Sequence, residues 1–198
     1  MNRIFVLLIL ALASPAVSAQ DMPLSIFLID GEKWKKSEIA AVEAKPVPKI
    51  AADATRPKDG GEPTTFAISA NTKTVYVGFP KAAAVWAYRL ASDGSLIDGS
   101  PYVPLRTERG YDNNKDAKEL RKKEPPTLAV TGLVVDSRGC IFAATAVGLH
   151  VYDPTGRLCG VVELPVGKPG TLWWTGTERN ELAISVDGSM FTRKLQTK

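Results

Sequence analysis

The sequence predicts an all-β fold, a partial β-propeller of about three four-stranded antiparallel blades. Two observations carry that reading. Between Thr64 and Leu195 one programme of apolar strand, tight turn, strand, turn and strand recurs three times. The copies have the roughly 40-residue length of propeller blades made from short antiparallel strands. Three blades fall short of the four to eight that close a ring. The pattern that gives the scaffold therefore also marks it as partial.

The elements follow in chain order. Residues 1–19 read as a cleavable signal peptide: Arg3 gives a positive start, Ile4–Ala13 an apolar run, and Val17-Ser-Ala19 a small-residue cleavage site before Gln20. A retained membrane anchor is the competing reading. The run is shorter than the roughly 20 residues that a bilayer core of about 30 Å requires, and no later stretch is long or apolar enough. The expected location is extracytoplasmic, with the mature chain starting at Gln20.

Residues 20–63 read as entry strands and linker. Leu24–Ile29 is apolar, Asp30-Gly31 is a turn, and a weaker run covers Trp34–Val42; the pattern fits two strands or one strand plus a helical turn. Glu43–Pro63, rich in Pro, Lys, Ala, Asp and Gly, has no periodicity and reads as a linker.

Residues 64–198 hold the blades. The first copy predicts strands at 65–69, 74–79 and 84–90, with a fourth near Pro101–Leu105 after the Asp93-Gly94 turn. A charged insertion at 106–126 follows, a solvated loop with a brief helix over Asp116–Lys123 as the alternative. The second copy predicts strands at 132–136, 140–145, 148–153 and 158–164. The third predicts 171–175, 181–186 and 189–195 and then runs out of chain. Propellers commonly complete the last blade with an amino-terminal strand, for which Leu24–Ile29 or Ile39–Val42 is the expected donor.

Charge and cysteines narrow the function classes. The formal net charge is +4, and the excess sits in Lys33–Lys36, Lys115–Lys123 and Arg193–Lys198. The central cluster lacks interleaved aromatics, so a solvated face is expected and no nucleic-acid partner. Cys140 and Cys159 form an even pair that invites a disulfide in an oxidising compartment. The repeat places one strand between them, however, which separates their Cα atoms by about 9–10 Å, too far for a bridge. Two thiols acting as small hydrophobes are expected. His150 is the single histidine, and the chain has no Ser-His-Asp set, P-loop or zinc-ligand spacing.

Thr131-Gly-Leu-Val-Val-Asp-Ser-Arg-Gly139, Ile141-Phe-Ala-Ala-Thr145 and Gly148-Leu-His-Val-Tyr-Asp-Pro-Thr-Gly156 resemble the regucalcin/gluconolactonase-like (SGL) family. Its pattern is close to D-G-L-x-x-D-x-x-G, a strand, a glycine turn and V-x-D-x-x-G. Glu181–Leu195 is similar to the family's last blade. Pro63-Thr-Thr-Phe-Ala-Ile-Ser69 is similar to an earlier one that opens P-N-G-L, and Leu28–Glu32 with Trp34 to its entry segment. The resemblance implies half of a six-bladed propeller, keeping the entry segment and the last three blades. It also implies a divalent cation, usually calcium, held by a Glu, one or two Asn and an Asp, which would polarise a lactone carbonyl.

Carried over residue by residue, that ligand set is missing. The Asp of D-G-L falls on Thr131, the Asn of P-N-G-L on Thr64, and the E-G-P motif has no counterpart. A neutral hydroxyl is a poor substitute for a carboxylate toward a hard cation and is no base near neutral pH. Asp93, Asp136, Asp153 and Asp187 all sit at turns and read as turn formers. No catalytic, metal or cofactor-binding residue is therefore assigned. Two functions remain: a secreted propeller that has lost the lactonase site and acts as a binding or interaction module, without cofactor, or a divalent-metal-dependent, gluconolactonase-like lactone hydrolase, with calcium as its cofactor, that uses other ligands or pools residues across a dimer. Three blades also leave uncovered end faces, which a second copy of the chain would cover by completing a propeller, or the insertion by capping one.

Overall fold

A computed structural model describes residues 22–106 and 128–196. The signal segment 1–19 and, after Arg106, the charged insertion with its alternative helix lie outside the described residues. Within the described residues twelve strands make three four-stranded antiparallel sheets. The first blade is β2 (Thr65–Ile68), β3 (Thr74–Gly78), β4 (Ala84–Leu90) and β5 (Leu96–Pro104), paired in that order. The second is β6 (Gly132–Val135), β7 (Ile141–Thr145), β8 (Gly148–Tyr152) and β9 (Leu158–Val162). The third is β10 (Pro169–Thr175), β11 (Glu181–Val186) and β12 (Ser189–Lys194), closed at its outer edge by β1 (Lys35–Ser37).

The amino-terminal closure thus forms, but its strand lies outside both expected donors, and Leu24–Ile29 adds only a single bridge, Leu28 to Leu195. Lys35 pairs with Thr192, Lys36 with Phe191 and Ser37 with Met190. An edge strand needs only its backbone to complete a ladder, and lysines there discourage further pairing. The apolar run Leu24–Ile29 does something else, because Leu24–Ile26 is a 3-10 turn that delivers Phe27 into the core. Phe27 is fully buried, edge-on to Phe142 at 5.7 Å between centroids, with the Arg138 guanidinium 4.8 Å over its ring. The carboxyl end is tied to the same turn, since the Gln196 amide donates to the Phe27 carbonyl at 2.9 Å.

Side-chain alternation along each strand puts apolar groups on both faces of every blade. In β7, Ile141 and Ala143 face the first blade, packing near Val85, Val103 and Leu133, while Phe142 and Ala144 face the third near Leu182 and Ile184. In β3, Tyr76 joins the layer shared with the second blade, and Val75 and Val77 turn the other way. That far face is covered by the segment that reads as a linker. Residues 43–63 contain no strand, yet Ile50 is buried against Val75 and Val77, with Val47 and Ala54 beside it. Under this cover the Tyr88 hydroxyl is buried without a partner among the described residues, and burial pushes its pKa up to about 12.

The inner strands β2, β6 and β10 lie side by side. At Gly132 a Cβ would sit 2.8 Å from the Gly170 carbonyl oxygen and as close to the Leu172 amide, so the second and third blades approach as they do only because this residue is glycine. No disulfide joins Cys140 and Cys159. Cys140 immediately precedes β7 and Cys159 lies in β9, with β8 between them. Burial, with the Asp136 carboxylate adding to it, pushes the Cys140 thiol up to about 12. Among the described residues no helix is long and apolar enough to cross a membrane.

Phe27→Ala is expected to cost about 3–5 kcal/mol in urea unfolding, because it empties a fully buried site between two blades. Tyr88→Phe should leave the unfolding midpoint unchanged or raise it, since it deletes a buried hydroxyl that has no partner. Denatured, non-reduced protein should titrate as two thiols, and a mass lower by two hydrogens before reduction would contradict this strand order.

Candidate functional site

The place where a propeller offers chemistry is the end of its inner strands, and in the first two blades a threonine stands there. Thr64 immediately precedes β2, and its amide donates to the Gly78 carbonyl at 2.9 Å. Thr131 occupies the same place before β6, its amide donating to the Ala144 carbonyl at 3.0 Å. The third blade does not extend the series. Thr145 pairs with Gly148 and Val186 with Ser189 across equivalent hairpins, so Leu172, opposite Ile184, matches Leu133, opposite Ala143, and Thr171 falls at the place of Thr65 and Gly132. A bulge between Pro169 and Leu172 distinguishes the third copy.

The hydroxyls of Thr64 and Thr131 are both committed to backbone. Thr64 Oγ1 lies 2.6 Å from the Val130 carbonyl oxygen and 3.2 Å from that of Gly78. Its shorter bond ties the first blade to the residue just before Thr131. Thr131 Oγ1 lies 3.4 Å from the Ala144 carbonyl oxygen, a long bond. In each case the donated proton serves the junction between strands, and the oxygen left over is neutral. Asp187 is a carboxylate at this same end, on the turn between β11 and β12, where it accepts the Lys168 amide at 3.2 Å.

The other aspartates work as turn formers. Asp136 follows β6 at the opposite end of the inner strand from Thr131, about 16 Å away for five extended residues. Its Oδ1 accepts the Arg138 and Cys140 amides at 2.9 and 2.8 Å, and its Oδ2 pairs with the Arg138 guanidinium at 2.9 Å. Asp153 repeats the device after β8. It accepts the Thr155 and Arg157 amides at 2.8 and 3.0 Å and the Thr155 hydroxyl at 2.6 Å. Burial acts to raise its pKa, but these bonds together outweigh it and hold the carboxyl below the usual value. Asp93 accepts the Ser95 amide and hydroxyl at 2.9 and 2.7 Å. Among the described residues no group of three or more His, Cys, Asp or Glu is placed to hold a metal ion.

Sequence reasoning assigned no role to one residue of this region. His150, in the middle of β8, is fully buried and stacks on Tyr152 at 6.3 Å with an angle of 10° between the rings. Its Nε2 lies 3.1 Å from both the amide nitrogen and the carbonyl oxygen of Arg106, at the exit from the first blade. Its Nδ1 is buried without a partner among the described residues. Tyr152 reinforces that exit by donating its hydroxyl to the Pro104 carbonyl at 2.6 Å, and burial raises its pKa.

A family model described as the SMP-30/Gluconolactonase/LRE-like region matches residues 49–187. No curated protein matches the chain. Among solved structures, a gluconolactonase from Xanthomonas campestris is 20% identical with a TM-score of 0.50, over 67% of this chain and 37% of its own. A calcium-binding regucalcin from Agrobacterium tumefaciens is 16% identical with a TM-score of 0.50, over 69% of this chain and 47% of its own. A luciferin-regenerating enzyme is 14% identical with the same TM-score, over 68% of this chain and 45% of its own. At these identities the likeness establishes the fold, and the chain spans less than half the length of each.

Burial holds the His150 imidazole below its ordinary 6.5, so the folded protein resists protonation there. Below about pH 6.5 the unfolded chain takes up a proton that the folded chain refuses. Stability should therefore be full above that pH and should fall as the pH drops toward the lowered folded value. His150 is the sole histidine, so urea midpoints of His150→Gln should be lower but flatter between pH 7 and 5. Equal slopes for both proteins would contradict this assignment.

Proposed function

This chain belongs to the SMP-30/gluconolactonase/LRE-like family, matched over residues 49–187, and on that premise we propose an extracytoplasmic half-propeller that has lost the metal-dependent lactonase site and serves as a binding or interaction module. One observation carries the reading. At the two inner-strand positions where the family resemblance puts an Asn and an Asp, this chain has Thr64 and Thr131, with both hydroxyls directed at backbone carbonyls.

The residues present do not fit a calcium ion. A hard divalent cation takes six to eight oxygens, with carboxylates offsetting its dehydration. Here the two positions offer neutral oxygens whose protons are already placed in the junctions between strands. Neither hydroxyl can serve as a general base near neutral pH, so no lactone-opening step follows from them. The competing reading, a calcium-dependent lactone hydrolase, draws on the family itself and on Asp187, a carboxylate at the same end of the third blade. Against it, Asp187 holds the Lys168 amide at a turn, in the manner of the structural aspartates.

Calorimetry with calcium separates the two readings. The expected result is no binding at micromolar calcium and gluconolactone hydrolysis at background. Micromolar binding, or turnover that requires calcium, overturns the proposal in favour of the hydrolase. Thr131→Asp with Thr64→Asn should bind calcium more tightly than the unaltered protein, because it restores one carboxylate and one amide oxygen. The extracytoplasmic part rests on the leader at 1–19, and amino-terminal sequencing of exported protein should begin at Gln20.

A further inference from the structure

The third strand of the second blade buries an imidazole against the point where the first blade ends. His150 stands between Ala143 on β7 and Val161 on β9. It shares its face of the sheet with Tyr152, in the layer that also holds Val103 and Leu105 of the first blade. Its Nε2 meets both the amide nitrogen and the carbonyl oxygen of Arg106 at 3.1 Å. With the ring proton on Nδ1 it accepts from the amide, and with the proton on Nε2 it donates to the carbonyl. In both tautomers Nδ1 is buried without a partner among the described residues. A second proton has no good place here. Nε2 then no longer accepts from the amide, Nδ1–H has no acceptor, and a cation lies in an apolar layer.

The groups around the ring do not relieve this. Among the described residues β4, β7 and β9 bring Val85, Ala143 and Val161 to it, none of which titrates. The titratable or charged neighbours are Tyr76 on β3, Tyr152 stacked on the imidazole, and Arg106 on the exit itself. Burial raises the pKa of both phenols, so neither supplies a negative charge. Burial, and then the Arg106 charge, disfavour the imidazolium and outweigh the backbone bonds that favour it. The two sides of the contact are held unequally. β8 is laddered to β7 and to β9, so His150 cannot leave without opening the sheet. The exit hangs on less: past the end of β5 at Pro104, the Leu105 amide donates to the Ala83 carbonyl at 2.8 Å, and the Tyr152 hydroxyl donates to the Pro104 carbonyl at 2.6 Å. A short segment on so few bonds opens at lower free energy than a strand inside a sheet.

We propose that His150 is a pH-sensitive latch, whose protonation releases Leu105 and Arg106 from the second blade while the blades themselves stay folded. Release brings water to the imidazolium and returns the Arg106 amide and carbonyl to solvent. It loosens the junction by which the first blade passes to the second. The size of the effect is bounded. A ring freed to its ordinary 6.5 favours the released exit by at most about thirtyfold at pH 5. The latch is independent of whether the lactonase site is lost.

Amide hydrogen exchange read residue by residue by NMR tests it, each rate being divided by that of an unstructured chain at the same pH. At pH 7 the Leu105 and Arg106 amides should be less protected than Phe142 and Val151 in the ladder of the second blade. Their exchange should also be indifferent to low urea, the mark of a local opening. Between pH 7 and 5 their protection should fall by about ten- to thirtyfold. His150→Gln keeps a polar side chain that does not titrate, and its exit should show the same protection at both values. Tyr152→Phe keeps the stacked ring but drops the bond to Pro104, so it should lower exit protection at both values and leave the pH dependence in place. That variant keeps the test decisive if His150→Gln does not fold. The latch is overturned if exit protection does not change with pH, if it follows urea as the ladder amides do, if the pH dependence survives in folded His150→Gln, or if Tyr152→Phe leaves the exit as protected as before.

Discussion

The first and second blades of this protein are four-stranded sheets with two apolar faces, and neither face is stable in water. That constraint organises the molecule. Between blades it is met by mutual packing: alternate residues of β7 serve the first blade and the third, and the lack of a side chain at Gly132 lets the inner strands close up. At the first blade's far face no further blade follows, and a poorly patterned segment folds over Val75 and Val77 instead. Phe27 answers a related need between the second and third blades, filling space where Phe142 and Trp174 meet edge to face at 5.2 Å.

The chemistry at the inner-strand end is subordinate to this packing. A carboxylate before β6 would bring a charge to a position where Thr131 now sits half-buried beside the Ala144 carbonyl. A hydroxyl donates without carrying charge, so Thr64 settles between the Gly78 and Val130 carbonyls of adjoining blades without a counter-ion. Asp136 and Asp153 are spent on turns, where each gathers backbone amides.

Strands were legible because alternation and turn residues are local signals. The predicted first two strands of each copy match the structure within one or two residues, and Thr64 and Thr131 stand where the repeat put them. What escaped depended on partners distant in sequence. Lys35–Ser37 has a polar edge-strand composition, and only the ladder of β12 makes it a strand. Leu24–Ile29 has a strand's composition but is wanted for one aromatic ring. Ile50 is one apolar residue in a stretch rich in proline and charge, and nothing local announces that Val75 and Val77 wait for it.

The clasp between the two ends of the chain has a temporal consequence. Gln196 reaches Leu28 across 168 residues, its side-chain amide donating to the Leu28 carbonyl at 3.0 Å. β1 and the Phe27 turn leave the ribosome well before the strand they must pair with. The first and second blades can condense from neighbouring hairpins as they appear, whereas the third must wait until β12 has been made. Its closure is long-range, and until it occurs the nascent chain carries the apolar segment around Phe27 without its final binding place.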